Sequence, residues 1–165
     1  MSIFRRRLTA RASKLVLGID FSKQPDNEVW YITRDNKKYT KPNNSVFYTG
    51  GWGKQVGLEV VNHTYENGLG KVTYNVPVNR IGESAFRNVP SLLISTPKTC
   101  KQVGAWSLSN SYIKVDYLII LCKDRRSIFS SQLVHIHEPK NMIVMPGNID
   151  YYKYIPSNII ERNML

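Results

Sequence analysis

Apolar residues in this chain fall in short runs of strand length, separated by turn-forming residues. VWYIT at 29–33 is rich in β-branched and aromatic side chains, a composition that suits a pleated, half-buried surface. The polar stretch 35–38 (DNKK) followed by Tyr39-Thr40 reads as a hairpin, which Pro42-Asn43-Asn44 then breaks. Residues 45–49 and 55–62 read as further strands. The segment 63–70 reads as a turn, with Gly68 and Gly70 at positions that tolerate positive φ. From Lys71 the alternation is clear: Val72, Tyr74 and Val76 share one side, Thr73 and Asn75 the other. It returns at 112–117, where Tyr112, Lys114 and Asp116 interleave with Ile113, Val115 and Tyr117. The longest apolar run, 117–122, is strand length and far short of the roughly 18 residues a membrane span needs. Residues 142–145 form a last apolar strand, stopped by Pro146-Gly147. Asn148 is placed to N-cap a short helix through Tyr154, which Pro156 ends, and Ser157 starts a final turn.

The stretch 77–121 is internally repetitive. With a shift of 22, Ile81-Gly82 falls on Val103-Gly104, Phe86 on Leu108 and Asn88 on Asn110. Each copy then runs into an apolar segment, first 92–94 and then 113–121. A fixed period of about 20–29 residues with one strand per copy is the signature of leucine-rich repeats. One such unit cannot bury its own apolar face, so it stacks on a neighbour. Phe86 and Leu108 then plug the interior, and Gly82 and Gly104 turn the backbone off each strand. Tyr112, Lys114 and Asp116 are expected on the opposite, strand-lined surface, the usual ligand face of a solenoid. They are the best local candidate for a binding patch, against the plainer reading as ordinary polar strand residues.

The segment IGESAFRNVPSLLISTP resembles one repeat of the BspA-like leucine-rich proteins, whose units read roughly IG-x-x-AF-x-x-C-x-x-L-x-x-I-x-x-P. The tail MIVMPGNIDYYKYIPSNII is similar to the C-terminal cap of that family, a short strand and Pro followed by a helical segment. The lead-in from VWYITRDNKKYTKPNN to VNRIGESAF resembles that of BspA-like proteins from gut Bacteroidales and their phages. The likeness runs from about Glu28 to Ile160. The second repeat departs from the pattern, with Ser107-Leu108 for Ala-Phe, and a third, CKDRRSIFSSQL, is barely recognisable. The expected fold class is mainly β: a short leucine-rich-repeat solenoid with degenerate repeats, a small β-rich N-terminal subdomain and a C-terminal helical cap. Along the chain this places a basic arm at 1–20, the β-rich lead-in at 21–70, the repeats at 71–146 and the cap at 147–165.

Charge sharpens the picture at one end. The 165 residues carry a formal net charge of +11, enough to favour a polyanionic partner or simply a solvated basic surface. Arg5, Arg6, Arg7, Arg11 and Lys14 precede the first acid, Asp20, and form a candidate partner-binding arm. The apolar run 15–19 is too short for a secretory signal core, so no such signal is expected. The Arg-rich, acid-free composition fits a mitochondrial presequence. An amphipathic helix with Phe4, Leu8, Ala12 and Leu15 on one face, and an arm reaching into an assembly or onto nucleic acid, fit it too. An apolar residue followed by FRRR also resembles the opening of virion proteins in Bacteroidales phages.

Catalytic and metal-binding patterns are absent from the sequence. There is no GxSxG, HExxH or P-loop, and the 12 acids form no paired constellation. The glycines around Trp52 lack phosphate-cradle spacing and read as a turn holding that ring in a local core. His135 and His137 could share a strand face, but Glu138 points away and no third ligand is at hand. The charged loop 123–126 (KDRR) reads as a solvated turn or an anion clamp. Cys100 and Cys122, 22 apart near repeat junctions, are expected as free core thiols. No enzyme activity, cofactor, metal or membrane span is expected.

These readings imply a structural or adhesive component of a phage particle, located in the virion and working through protein–protein or surface-glycan contacts. Its expected partners are other virion proteins, copies of itself or a host-surface glycan or protein. The alternatives are a BspA-like adhesin on the bacterial surface and a nucleic-acid-binding capsid or ribosomal subunit that uses its arm.

Overall fold

The computed structural model describes residues 18–39, 55–82, 85–86, 89–103, 117–122, 128–129, 141–144 and 159–161. They are mainly β. After a short 3-10 turn, Phe21–Lys23, come β1 (Glu28–Thr33), β2 (Val60–Glu66), β3 (Leu69–Tyr74), β4 (Arg80–Ile81) and β5 (Ser91–Thr96). Then follow β6 (Gln102–Val103), β7 (Tyr117–Ile120), β8 (Ile128–Phe129), β9 (Asn141–Val144) and β10 (Ile159–Glu161). Seven strands form one open mixed sheet in the order β10-β9-β7-β5-β1-β3-β2, and β4-β6-β8 form a second, smaller one.

Two pairing modes meet at β5. On one side β5, β7, β9 and β10 run parallel, with Leu93 opposite Tyr117, Leu118 opposite Met142 and Ile143 opposite Ile160. On the other side β1 runs antiparallel to both β5 and β3, and β3 antiparallel to β2. The small sheet is parallel throughout, with Ile81 opposite Val103 and Val103 opposite Phe129. The pairing of Ile81 with Val103 is the shift of 22 found by laying the sequence on itself. In the large sheet the step from Leu93 to Tyr117 is 24, so two extra residues lie between Val103 and Tyr117.

The lead-in departs from its expected layout. β1 takes β3 and β5 as neighbours, so Tyr39 does not pair with it, and the polar stretch after Thr33 is a turn with no returning strand among the described residues. The reason is burial: Val29 to Thr33 are all buried, and a strand covered on both faces needs hydrogen-bond partners on both edges. The strand expected at 55–62 lies at Val60–Glu66 instead, and residues 63–66 belong to it rather than to a turn. The turn is only Asn67-Gly68, with φ of 51° and 83°, which joins Glu66 to Leu69. Asn-Gly with both φ positive is the two-residue hairpin turn whose twist matches the flanking strands. Gly70 lies inside β3, and Val76, expected among the buried residues, is exposed.

Apolar side chains cover both faces of the large sheet. One cluster gathers Val29, Tyr31, Val72, Tyr74, Ile94 and Leu118 with Ile81, Ala85, Phe86, Val89, Cys100 and Cys122 from the side of the small sheet. Phe86 is 1% exposed, and both cysteines are buried and not joined in a disulfide. The second cluster holds Phe21, Trp30, Ile32, Leu92, Leu93, Ile119 and Leu121, with Ile19, Leu69 and Tyr117 packed against it. Tyr117, which alternation assigns to the Phe86 side, therefore lies on the opposite face. Consecutive Leu92 and Leu93 share a cluster because the β1–β5 register shifts between Ile32 and Thr33. Gln24 seals this face over β5. Its amide donates to Glu28 O at 2.9 Å and Ser95 O at 3.1 Å, and its oxygen accepts from Ser95 Oγ at 2.6 Å.

At the C-terminal end, the strand expected at 142–145 is found as Asn141–Val144. Ile159–Glu161 adds a further parallel strand within the segment assigned to the cap. The helix expected from Asn148 to Tyr154 lies outside the described residues, as do Leu108, Gly104, Trp52 and the strand expected at 45–49. Among the described residues no helix is long and apolar enough to cross a membrane.

Candidate functional site

The candidate binding residues read from the sequence lie outside the described part of the fold. Arg5, Arg6, Arg7, Arg11 and Lys14 of the arm, and Tyr112, Lys114 and Asp116 of the strand patch, all lie outside the described residues. So do the loop 123–126 and the pair His135 and His137 with Glu138. Among the described residues no three His, Cys, Asp or Glu side chains converge as metal ligands.

The richest polar constellation in the described fold sits elsewhere, on the hairpin end of the large sheet. The Asn67-Gly68 turn puts Tyr65 opposite Gly70 and His63 opposite Val72, and β1 then brings Tyr31 opposite Gly70. Because Gly70 has no side chain, the Tyr31 and Tyr65 rings meet across it, with centroids 5.7 Å apart. The His63 ring also lies 5.7 Å from Tyr31. Tyr31 Oη is 2.7 Å from His63 Nε2 and accepts from the Tyr39 N–H at 3.4 Å. Thr33 Oγ1 lies 3.0 Å from Tyr65 Oη, donates to Lys37 O at 2.8 Å and accepts from Lys37 N at 3.0 Å. Lys38 Nζ reaches back to His63 O at 2.6 Å.

The electrostatics of this cluster separate its two titratable members. Burial pulls His63 down to about 4, and the Lys38 ammonium adds to the effect. Burial pushes the Tyr31 hydroxyl up to about 12, against a smaller opposing contribution from the Tyr39 N–H. At neutral pH Tyr31 is therefore protonated and the His63 ring neutral, so one proton is shared in the contact between Tyr31 Oη and His63 Nε2, with the donor set by the ring tautomer. A general base is useful when its pKa lies near the operating pH, and neither group is so placed. The arrangement is suited to holding β1, β2 and the turn after β1 together.

A pH prediction follows. The folded state disfavours protonated His63, whereas the unfolded chain takes up its proton near the ordinary 6.5. This contribution to stability is complete above about 6.5 and is lost as pH falls through about 4. The denaturation midpoint is expected to fall between those values, and His63→Gln to flatten that part of the curve. Equal slopes for both proteins would remove His63 from the account. Asp20, exposed and held low by Ser22 and Lys23, acts only below the ordinary carboxylate value and does not confuse this window.

The opposite face carries a second constellation. Trp30 Nε1 donates to Glu28 Oε2 at 2.7 Å, Thr73 Oγ1 donates to Glu28 Oε1 at 3.1 Å, and Lys71 Nζ lies 5.2 Å from the Trp30 ring centroid. These contacts tie β1 to β3 across the sheet. Sequence reading missed both groups. The Asn-Gly dipeptide could have fixed the β2–β3 register and put His63 and Tyr65 on one face. Nothing local announces that β1 is the strand they meet.

Comparison with family models, with curated proteins and with solved structures finds no match for this chain.

Proposed function

We propose that this chain is a non-enzymatic structural or adhesive component of a phage particle, built on a short leucine-rich-repeat solenoid of the BspA-like kind. The observation that carries the reading is the recurrence of parallel pairing in two sheets at once. Ile81 pairs with Val103 in the small sheet and Leu93 with Tyr117 in the large one, at steps of 22 and 24, and Phe86 is buried in a cluster with Ile81 of the small sheet and Ile94 and Leu118 of the large one. Two parallel ladders advancing together by about one repeat length are what stacked coils produce. Strands β1, β3 and β2 cover the exposed edge of the first coil, and β10 (Ile159–Glu161) is the last strand at the other end of the sheet. Such a body offers extended surface to protein or glycan partners.

The arm supplies a second contact, with other virion proteins or copies of this chain. Mass spectrometry of purified particles is expected to find this polypeptide at fixed copy number. Its absence from particles, together with a purified monomer that binds no virion component, would defeat the proposal.

A nucleic-acid role draws on a different observation, the five cationic side chains at 5–14. If they neutralise phosphates, the log of affinity falls against log salt with a slope of about −4. Titration of an oligonucleotide at several salt concentrations reads this directly, and a flat response excludes the arm as a phosphate binder.

A further inference from the structure

We propose that the outer edge of β2 is a strand-pairing surface for a second copy of this chain, held closed by Lys38 and Asn62. Among the described residues β2 pairs only with β3 and ends the order of the large sheet. Residues alternate along such a strand between facing the neighbour and facing away. With Glu66 and Leu69 flanking the two-residue turn, Glu66 and Thr64 face β3, and Tyr65 and His63 turn their backbone groups outward. Both outward groups of His63 are occupied by side chains: its N–H donates to Asn62 Oδ1 at 2.9 Å and its carbonyl accepts from Lys38 Nζ at 2.6 Å. The register breaks between Val60 and Asn62, leaving Val61 without an opposite residue in β3. A bulge, a lysine on the edge and backbone groups engaged by side chains are means by which proteins block edge-to-edge pairing.

The surface so guarded is apolar. Val56, Val60, Val61 and Val76 are the large exposed hydrophobics of the described residues, and they cluster at β2 and the open end of its hairpin. Val60 pairs with Tyr74, two residues before Val76, and Asn75 is bonded to Gly57 O and Glu59 N. The strand is also self-complementary. An antiparallel pairing of two copies centred on His63 sets Val61 opposite Tyr65, Val60 opposite Glu66 and Asn62 opposite Thr64. No two like charges then face each other, and the aliphatic positions gain aromatic or aliphatic-stem neighbours. Self-pairing requires the release of Lys38 and Asn62, and this register makes a second copy the occupant the edge fits. This inference is independent of the virion assignment.

The test needs no other protein: analytical ultracentrifugation of the purified chain, comparing wild type with Lys38→Met and with Lys38→Met/Asn62→Ala. Removing the two competing hydrogen bonds is expected to tighten self-association about tenfold in the double variant, with a smaller gain for Lys38→Met alone. Adding Val61→Lys, which puts a charge on the paired edge, is expected to reverse the gain. Lys38 is exposed, so its single substitution keeps the question open to an answer if the double variant fails to fold, as checked by circular dichroism. Unchanged self-association in the folded variants overturns the proposal, as does a gain that Val61→Lys leaves intact.

Discussion

Replacing Phe86 by Ala is expected to lower the unfolding free energy by about 3–5 kcal/mol, read as a shift in the urea midpoint at constant slope. The ring is 1% exposed and sits in the cluster shared by Ile81, Ala85, Val89, Ile94 and Leu118. These neighbours come from the small sheet, the turn beside Phe86 and two strands of the large sheet, so no single element can relax into the void. A domain of this size is stable by about 5–15 kcal/mol in total, and the variant would be close to unfolding. A loss under about 1 kcal/mol would mean that the two ladders do not share one interior.

Gly70→Ala is expected to cost about 3 kcal/mol, the upper end for overpacking. A Cβ at this position would overlap Tyr31 Cε1 and Cζ and lie 2.7 Å from Cδ1. The ring cannot easily swing aside: Tyr31 is fully buried, its hydroxyl is bonded to His63, and Tyr65 and His63 pack against it. The backbone cannot easily yield either, since Gly70 lies between Tyr31 of β1 and Tyr65 of β2 in the register of the sheet. Here glycine is required by close approach of a side chain, not by a left-handed backbone, which distinguishes it from Gly68. The cause can be checked with a double-mutant cycle. Tyr31→Val should be costly alone but should recover part of the Gly70→Ala loss, giving non-additivity beyond about 0.5 kcal/mol. Strict additivity would place the penalty elsewhere.

Both substitutions probe the junction on which the fold turns. β5 is the first strand of the parallel ladder and the last neighbour of the antiparallel group, and all six of its residues are buried. Ser91, Ser95 and Thr96 are buried there as well, and Gln24 partners Ser95. The seven-stranded sheet is thus covered on both faces at its centre. On β1, β5 and β7 the face opposite Phe86 is lined by Trp30, Ile32, Leu93 and Ile119 and covered from the N-terminal side by Phe21 and Gln24. A ligand surface, where there is one, must lie away from this central part.

Some of this was legible residue by residue. The aromatic and β-branched run at 29–33 marks a strand whatever surrounds it, and the shift of 22 that superposes Ile81 on Val103 is the step at which those two residues pair. Phe86, Cys100 and Cys122 are buried, as read from their places in the repeat. What local pattern could not decide was which strands meet. The hairpin expected from β1 to Tyr39 lost to β3 and β5, lying about 40 and 60 residues further on, because only those partners allow both faces of β1 to be buried. The same holds for Tyr117: alternation gives two sides but not which one is the interior, and the facing layers settle that. The Tyr31–His63–Tyr65 cluster needs three strands in one register before its atoms come within reach. The sequence by itself determined the strands at 29–33, from 71 and at 142–144, the shift of 22 that pairs Ile81 with Val103, and the concentration of charge at the N-terminus, since these depend on composition and spacing. Only the tertiary structure decided the neighbours of β1, the inward phase of β7 and the assembly of the polar cluster, since these depend on contacts between residues far apart in the chain.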